Sequence, residues 1–146
     1  MSTAENKAIA RRLYEEGFNA HNPAVFDELW AANLVQHAAG TLPGIPGDRE
    51  GANQAIAMIF GAFPDWQVTV EDMIAEGDKV VARYTGQGTQ RGELLGIPAT
   101  GKRVTMTVID IFRITDGKIA EHWVESDALG MMQQLGVIPA PGQAPR

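Results

Sequence analysis

Apolar side chains recur at helical spacing through the N-terminal part of the chain. A spacing of three or four residues predicts an amphipathic helix over about residues 4–20, and a shorter helix that begins at Pro23. A loop rich in glycine and proline follows, and a third helix is predicted from its N-cap Asp48 to about residue 63. The apolar stripes of these helices include the aromatic residues Tyr14, Trp30 and Phe60.

Beyond Pro64 the hydrophobic period changes from helical to alternating, which is typical of β-strands. Turn signals such as Asp116-Gly117 separate the alternating segments. A short strand is also predicted at Val35–Ala38, and a last helix at 128–135 that Gly136 closes. The four main predicted strands are Gln67–Ile74, Lys79–Gly86, Arg103–Ile114 and Lys118–Ser126.

Three helices followed by a run of antiparallel strands predict an α+β fold. The helices are expected to pack on one face of a curved antiparallel sheet and to enclose a cone-shaped interior. Residues 1–138 are expected to form this single domain, and the Pro, Gly and Ala residues of 139–146 a flexible C-terminal tail.

Composition narrows the classes of function. The 146 residues include no cysteine, so disulfides, thiolate metal sites and a cysteine nucleophile are excluded. The net charge is −6 and the basic residues are scattered, which argues against a nucleic-acid or anionic membrane partner. No stretch has the character of a signal peptide or a membrane span, so a cytoplasmic location is expected.

Asp110 interrupts an otherwise apolar strand face. Splitting the strand Arg103–Ile114 by parity places Asp110 in one row with four apolar residues. A buried carboxylate is costly unless it is paired, hydrogen-bonded or placed in a wet cavity. Asp110 is therefore either a structural carboxylate in a hydrogen-bond network or a catalytic group. The four apolar members of the row are Val104, Met106, Val108 and Phe112.

The residue that faces Asp110 depends on the register of the last hairpin, and two registers are open. A two-residue Asp-Gly loop sets Asp110 opposite Trp123, whereas a three-residue loop sets it opposite His122. The second register places a row of four residues inward and forms an Asp–His pair, which is a plausible device for proton transfer. That row is Ala120, His122, Val124 and Ser126.

His37, on the short predicted strand, is a candidate for the mouth of the same cavity. The histidines and Asp110 lack the spacing of a metal site, so no metal is expected. Nucleotide-binding glycine motifs are also missing, so no cofactor is expected, and without a Gly-x-Ser-x-Gly elbow a serine hydrolase is not expected either. The expected ligand is a small organic substrate. Seven further residues are predicted to bind it in the cavity: Tyr14, Trp30, Phe60, Met106, Val108, Phe112 and Val124.

Three segments carry a resemblance to a known family: Gly96-Ile97-Pro98-Ala99-Thr100-Gly101, the run from Phe112 to Trp123, and Gln133-Gln134-Leu135-Gly136. Over about residues 6–138 the chain resembles the SnoaL-like polyketide cyclases of the nuclear transport factor 2-like (cystatin-like) superfamily. The resemblance implies an α+β cone, a sheet-mediated homodimer, and cofactor-free acid–base chemistry on a small carbonyl compound, such as an aldol-type cyclisation or isomerisation.

The resemblance also implies where the reacting groups stand. The family's active-site histidine falls on Asp110, and its catalytic aspartate falls on Val124, which cannot transfer a proton. A pair with exchanged roles is therefore expected, with Asp110 in place of the histidine and His122 as its partner. His37 matches a histidine common at its strand in related members and is expected to orient the substrate.

Two further functions remain open. Hydrolysis of an epoxide or ester by a water at Asp110 resembles limonene epoxide hydrolase, for which Arg83 is the candidate arginine, since Arg113 lies on the other strand face. The second is a non-catalytic ligand-binding or dimerisation module. A dimer is also expected, because one outward row of the sheet is too apolar for a face that contacts water and suits a contact between two sheets. That row is Thr105, Thr107, Ile109 and Ile111.

Overall fold

A computed structural model describes residues 1–37, 44–139 and 142. It confirms the α+β class, with helices packed on one face of a curved five-stranded sheet. The helices are α1 (Thr3–Arg12), a π-helix (Leu13–Asn19), α2 (Pro23–Leu29), α3 (Arg49–Ala62) and α4 (Ala128–Leu135). The strands are β1 (Trp30–His37), β2 (Gln67–Glu76), β3 (Lys79–Thr89), β4 (Arg103–Thr115) and β5 (Lys118–Ser126).

The first predicted helix is divided into two conformations. Ser2 and Glu5 form a reciprocal capping box that starts α1, and the chain changes to the wider π-helix at Leu13. The π-helix buries Tyr14 against the sheet. π-Helical turns are rare and often occur at functional sites, which draws attention to this residue.

The sheet is mixed because β1 adds a fifth strand to the four predicted antiparallel ones. The strand order is β1-β5-β4-β3-β2, and β1 runs parallel to β5. The sequence predicted a strand only from Val35, since the preceding Ala31, Ala32 and Asn33 have low β-propensity. The strand nevertheless begins at Trp30, directly at the end of α2.

The β4–β5 hairpin differs from both predicted registers. Its turn is the two-residue one, with Asp116 and Gly117 at positive φ and Thr115 paired with Lys118. A bulge then leaves Ala120 without a partner on β4 and shifts the register by one residue, so that Asp110 pairs with Val124. The predictions that Asp110 stands directly opposite Trp123 or His122 are therefore wrong. The bulge does turn His122, Val124 and Ser126 to the side of Asp110, as the second register required, whereas Ala120 is the bulged residue itself.

No helix among the described residues is long and apolar enough to cross a membrane. The predicted flexible tail lies outside the described residues apart from residues 139 and 142. The division into a domain and a tail at residue 138 remains a prediction.

Candidate active site

A largely apolar cavity of about 130 Å³ lies between the inner face of the sheet and the helices. Its floor is the inward row of β4 and β5, and its sides come from α2, α3 and α4. Leu95 lines the cavity and is also 42% exposed, so the cavity opens to solvent beside the loop that joins β3 to β4. Asp110 and His122 both line this cavity.

Asp110 and His122 form a buried hydrogen-bonded pair. Their side chains are diagonal neighbours on the inner face, and the distance from His122 Nε2 to Asp110 Oδ1 is 2.8 Å. Asp110 is 4% exposed and His122 is 8% exposed. The pair is therefore shielded from bulk water. In such a buried environment a hydrogen bond to a carboxylate is stronger than at the surface.

The second carboxylate oxygen of Asp110 is also satisfied. Tyr14 of the π-helix donates a hydrogen bond from its hydroxyl to Asp110 Oδ2 over 2.6 Å. Burial, and then the charge of Asp110, raise the pKa of Tyr14 well above the usual value for a tyrosine, so its hydroxyl keeps its proton. The same two causes raise the pKa of Tyr84, which lines the cavity on β3.

These contacts assign the proton of the imidazole ring. A carboxylate can only accept hydrogen bonds, so Nε2 of His122 is the donor to Oδ1 of the Asp110 carboxylate, and a neutral ring then carries its lone pair on Nδ1. Nδ1 is buried and has no partner among the described residues. The ring stacks between Phe112, at 4.8 Å between ring centroids, and Trp30, at 5.8 Å. His122 is thus held by packing and by Asp110, and its Nδ1 has no hydrogen-bond partner among the described residues.

The predicted site residues separate into three groups. Trp30, Met106, Val108 and Val124 line the cavity with Asp110 and His122. Two others support the pair from behind, since Tyr14 bonds to Asp110 and Phe112 stacks on His122. Phe60 does not line the cavity, because α3 turns its ring away to pack on Phe18 and His21.

The structure corrects the placement of His37. In the parallel register of β1 and β5, Gln36 pairs with the inward His122, and His37 pairs with the outward Trp123. His37 therefore stacks on Trp123 and bonds to Glu121 at 2.7 Å on the outer face of the sheet. It does not lie at the mouth of the cavity, and Gln36 takes the inward position instead.

The arginine of the hydrolase hypothesis also lies outside the cavity. Arg83 has outward parity on β3 and forms an ion pair with the exposed Asp72 at 2.7 Å. Arg113 bonds to Glu121, which also accepts from the outer-face His37. Neither guanidinium approaches Asp110, so an Asp–Arg–Asp group around a water is not formed.

Sequence reasoning missed several lining residues. Gln36 follows from the strand parity of β1, but only once its pairing with β5 is known. Trp66 precedes β2 and packs over Gly86, where an added Cβ would lie 2.1 Å from the indole. No short-range pattern signals such a contact. The missed lining residues with polar side chains are Gln36, Trp66 and Tyr84.

Comparison with known proteins identifies the family of the chain. The sequence model of the family described as SnoaL-like polyketide cyclase matches residues 8–135. The chain belongs to the SnoaL-like polyketide cyclase family. Aklanonic acid methyl ester cyclase DauD from Streptomyces sp. strain C5 is 43% identical over 135 residues, which are 88% of this chain and 80% of that protein.

Two further members extend the likeness. Nogalonic acid methyl ester cyclase from Streptomyces nogalater is 32% identical over 84 residues, or 57% of this chain and 63% of that protein. The structure of TsrD from Streptomyces laurentii is 35% identical and superimposes with a TM-score of 0.79, covering 94% of this chain and 99% of TsrD. The similarity to SnoaL-like cyclases thus spans the sheet, the helices and the cavity.

Proposed function

We propose that this SnoaL-like protein closes a ring in a polyketide-like carbonyl compound by a cofactor-free intramolecular aldol reaction. The observation that carries the proposal is the buried Asp110–His122 pair, both residues of which line an apolar cavity. Two of its relatives are named as cyclases of aklanonic acid methyl ester and nogalonic acid methyl ester, and the family is described as polyketide cyclases. An apolar site suits such substrates, which are mostly hydrocarbon and carry a few carbonyl oxygens.

In the proposed reaction, His122 takes one proton from the substrate and later gives one proton to the product. Nδ1 of His122 removes a proton from a carbon next to a carbonyl group, and the C–H electron pair becomes an enolate. The enolate carbon then attacks a second carbonyl of the same molecule and forms the new C–C bond. The oxygen of that second carbonyl takes the proton from Nδ1, so His122 returns to its starting state and no co-reactant is needed.

Asp110 acts in this proposal as the positioning residue for His122. Its carboxylate fixes the ring orientation through Nε2 and stabilises the positive charge that the ring acquires when Nδ1 takes the proton. Tyr14 holds the carboxylate in turn. Val124, directly across from Asp110, has no proton to transfer, which is why the diagonal neighbour His122 carries the chemistry.

The size of the cavity limits which part of the substrate enters it. A cavity of about 150 Å³ holds one benzene molecule in an engineered protein. The 130 Å³ cavity therefore accommodates about one ring, which we take to be the ring that closes. The remainder of a polycyclic substrate would lie towards the opening beside Leu95.

The test is a product analysis in ¹⁸O-labelled water. We expect the purified protein to convert a polyketide-like β-keto methyl ester into a cyclised isomer of the same mass, or into that mass less one water if the aldol product dehydrates. A product that gains one labelled oxygen would instead establish hydrolysis. Binding of the ester without any product would establish a ligand-binding module, and either result would reject the proposal.

A further inference from the structure

The loop that joins β3 to β4, residues 90–102, holds a leucine in a backbone conformation that leucine rarely adopts. Leu94 and Ile97 exchange two backbone hydrogen bonds, of 3.0 and 2.8 Å, around a two-residue turn of Leu95 and Gly96. Both turn residues have positive φ, 49° for Leu95 and 83° for Gly96. Turns of this kind favour Asn-Gly or Asp-Gly, because a bulky side chain is strained at positive φ. Leu95 therefore costs conformational energy that asparagine would not.

The side chain of Leu95 is also in contact with water. It is 42% exposed, whereas its neighbour Leu94 is 5% exposed and anchors the loop in the core. Leu95 nevertheless lines the cavity, at its opening. Strained residues that the surrounding structure holds in place concentrate at ligand-binding sites. A ligand that extends out of the cavity would cover Leu95, which explains why an apolar side chain stands at a strained and exposed position.

The rest of the loop is fixed around this turn by one buried side chain. Gln90 is fully buried, and its amide nitrogen donates to the carbonyl oxygens of Gly92 and Ile97, each at 3.2 Å. Its amide oxygen accepts from the backbone N–H of Thr100 at 3.1 Å and from the Thr100 hydroxyl at 2.7 Å. The N–H of Gly92 also bonds to Ala62 at the end of α3, at 3.2 Å. The loop thus presents Leu95 in one arrangement before any ligand binds, which lowers the entropy cost of binding.

We infer that Leu95 determines specificity at the cavity opening, where its side chain covers the apolar rings of a substrate that extend beyond the cavity. The inference rests on the proposed function for the nature of the substrate. Because the 130 Å³ cavity accommodates about one ring, a further fused ring lies at the opening whichever end of the ligand enters. Burial of Leu95 against that ring favours polycyclic substrates over those with a single ring.

The test compares two unreactive ligands that differ by one fused ring. Benzene represents the part inside the cavity, and naphthalene adds a ring at the opening. Their dissociation constants are measured by isothermal titration calorimetry for wild type and Leu95→Asn. We expect Leu95→Asn to bind naphthalene about five- to tenfold more weakly, since the apolar contact is lost, and to bind benzene as wild type does.

Two further variants separate the contact from the strain. Leu95→Met keeps an apolar side chain at the same φ, so its affinity for naphthalene should stay within about twofold of wild type. The matched control is Leu129→Asn, because Leu129 is 58% exposed on α4 and does not line the cavity. It should bind both hydrocarbons as wild type does. The urea midpoint of Leu95→Asn should be at least that of wild type, because asparagine relieves the strain at positive φ.

Several results would overturn the inference. Wild-type affinity of Leu95→Asn for naphthalene would show that the side chain does not contact the second ring. Equal losses for benzene and naphthalene would show that Leu95 acts through the shape of the cavity. A urea midpoint of Leu95→Asn lowered by about 0.5 M or more would show that the fold itself requires this leucine. Failure of wild type to bind naphthalene would show that the opening does not accept a further ring.

This inference and the proposed function can fail separately. Selective loss of naphthalene binding in Leu95→Asn, in a protein that forms no cyclised product, would keep the role of Leu95 and reject the proposed function. Cyclisation by a protein in which Leu95→Asn binds naphthalene as wild type does would do the reverse. If both hold, Leu95→Asn should raise KM about five- to tenfold for a polycyclic β-keto methyl ester and leave kcat unchanged.

Discussion

At the scale of single residues, the site depends on a buried carboxylate that satisfies two donors. Asp110 accepts from Tyr14 at 2.6 Å and from His122 at 2.8 Å, so the phenol and the imidazole are fixed by one group. Neither contact is local in sequence, since 96 residues separate Tyr14 from Asp110. The cost of burying the carboxylate is offset only when both contacts form.

The two tyrosines of the chain give a direct test of the negative charge on the buried Asp110. Tyr14 and Tyr84 both have a pKa raised well above 10.0 by burial and by Asp110, and they are the two tyrosines of the chain. The folded protein therefore holds the two tyrosine protons more tightly than the unfolded chain holds them. The stability that this difference contributes is complete below about pH 10 and is lost as the pH rises above 10.

We expect the tyrosinate absorbance to stay absent through pH 10 and then to rise together with loss of the native circular dichroism. The free energy of unfolding should fall by up to about 1.4 kcal/mol per pH unit for each tyrosine above pH 10. Tyr14→Phe should halve the absorbance change. Ionisation of either tyrosine near pH 10 in the folded protein would contradict the assigned environment.

At the scale of elements, the placement of the cavity-lining Trp66 depends on Gly86 of β3. The indole of Trp66 lies flat over Gly86, and an added Cβ there would meet three of its ring atoms within 2.9 Å. Trp66 is 1% exposed and lines the cavity, so it has little freedom to retreat.

Gly86→Ala is therefore expected to lower the free energy of unfolding by about 1–3 kcal/mol, the usual cost of overpacking. The matched control is Gly61→Ala in α3, where an added Cβ meets nothing within 4 Å. That change should stabilise the protein by about 0.5–1 kcal/mol, because alanine favours the helix. Urea unfolding of the two variants measures both values, and equal effects would refute the packing argument.

The β4–β5 hairpin shows how much of an element's structure could be predicted from the sequence. Alternation along Arg103–Ile114 correctly placed Asp110 on a buried face, and the Asp116-Gly117 pair indicated the turn. The bulge at Ala120 has no local sequence signal, because an extra alanine fits either face. The register of Asp110 was consequently mispredicted, although the bulge restored His122 to the inner row.

The position of His37 shows a second limit. Its side was set by the pairing of β1 with β5, two strands separated by most of the chain. A period-two strand fixes only which residues share a face, and the choice of face comes from the partner strand. His37, which was predicted to lie at the mouth of the cavity, therefore lies on the outer face of the sheet. Its inward neighbour Gln36 was missed.

At the scale of the whole molecule, the α+β class could be predicted because three predicted helices precede the main run of alternating strands. The cavity itself could not, since it arises where α3, α4 and the β3–β4 loop meet the sheet. Its lining includes Leu94, Leu95 and Met131, which are distant in sequence from Asp110. Only the packed structure shows that these residues share one space.

The outer face of the sheet leads to the remaining prediction, a dimer. Thr105, Thr107 and Ile109 are exposed in one row, and Ile109 is 46% exposed. We expect the protein to sediment as a dimer at micromolar concentration through this face.

Ile109→Lys should shift the protein to a monomer. Leu129→Lys is the control, because Leu129 is 58% exposed but lies on α4 and away from the outer row. A wild-type monomer at micromolar concentration would refute the prediction of a dimer. Dimers that persist in Ile109→Lys would place the interface on another face.

The central claim is that Asp110 and His122 act as one proton-transfer unit. The most direct measurement is kcat for cyclisation of a β-keto methyl ester by wild type, Asp110→Asn, His122→Gln and the double variant. We expect each single substitution to lower kcat by about 10²–10⁴-fold and the double variant to lose no more than the worse single one, because groups that act together are not additive. Full turnover by Asp110→Asn, or losses that multiply in the double variant, would contradict the account.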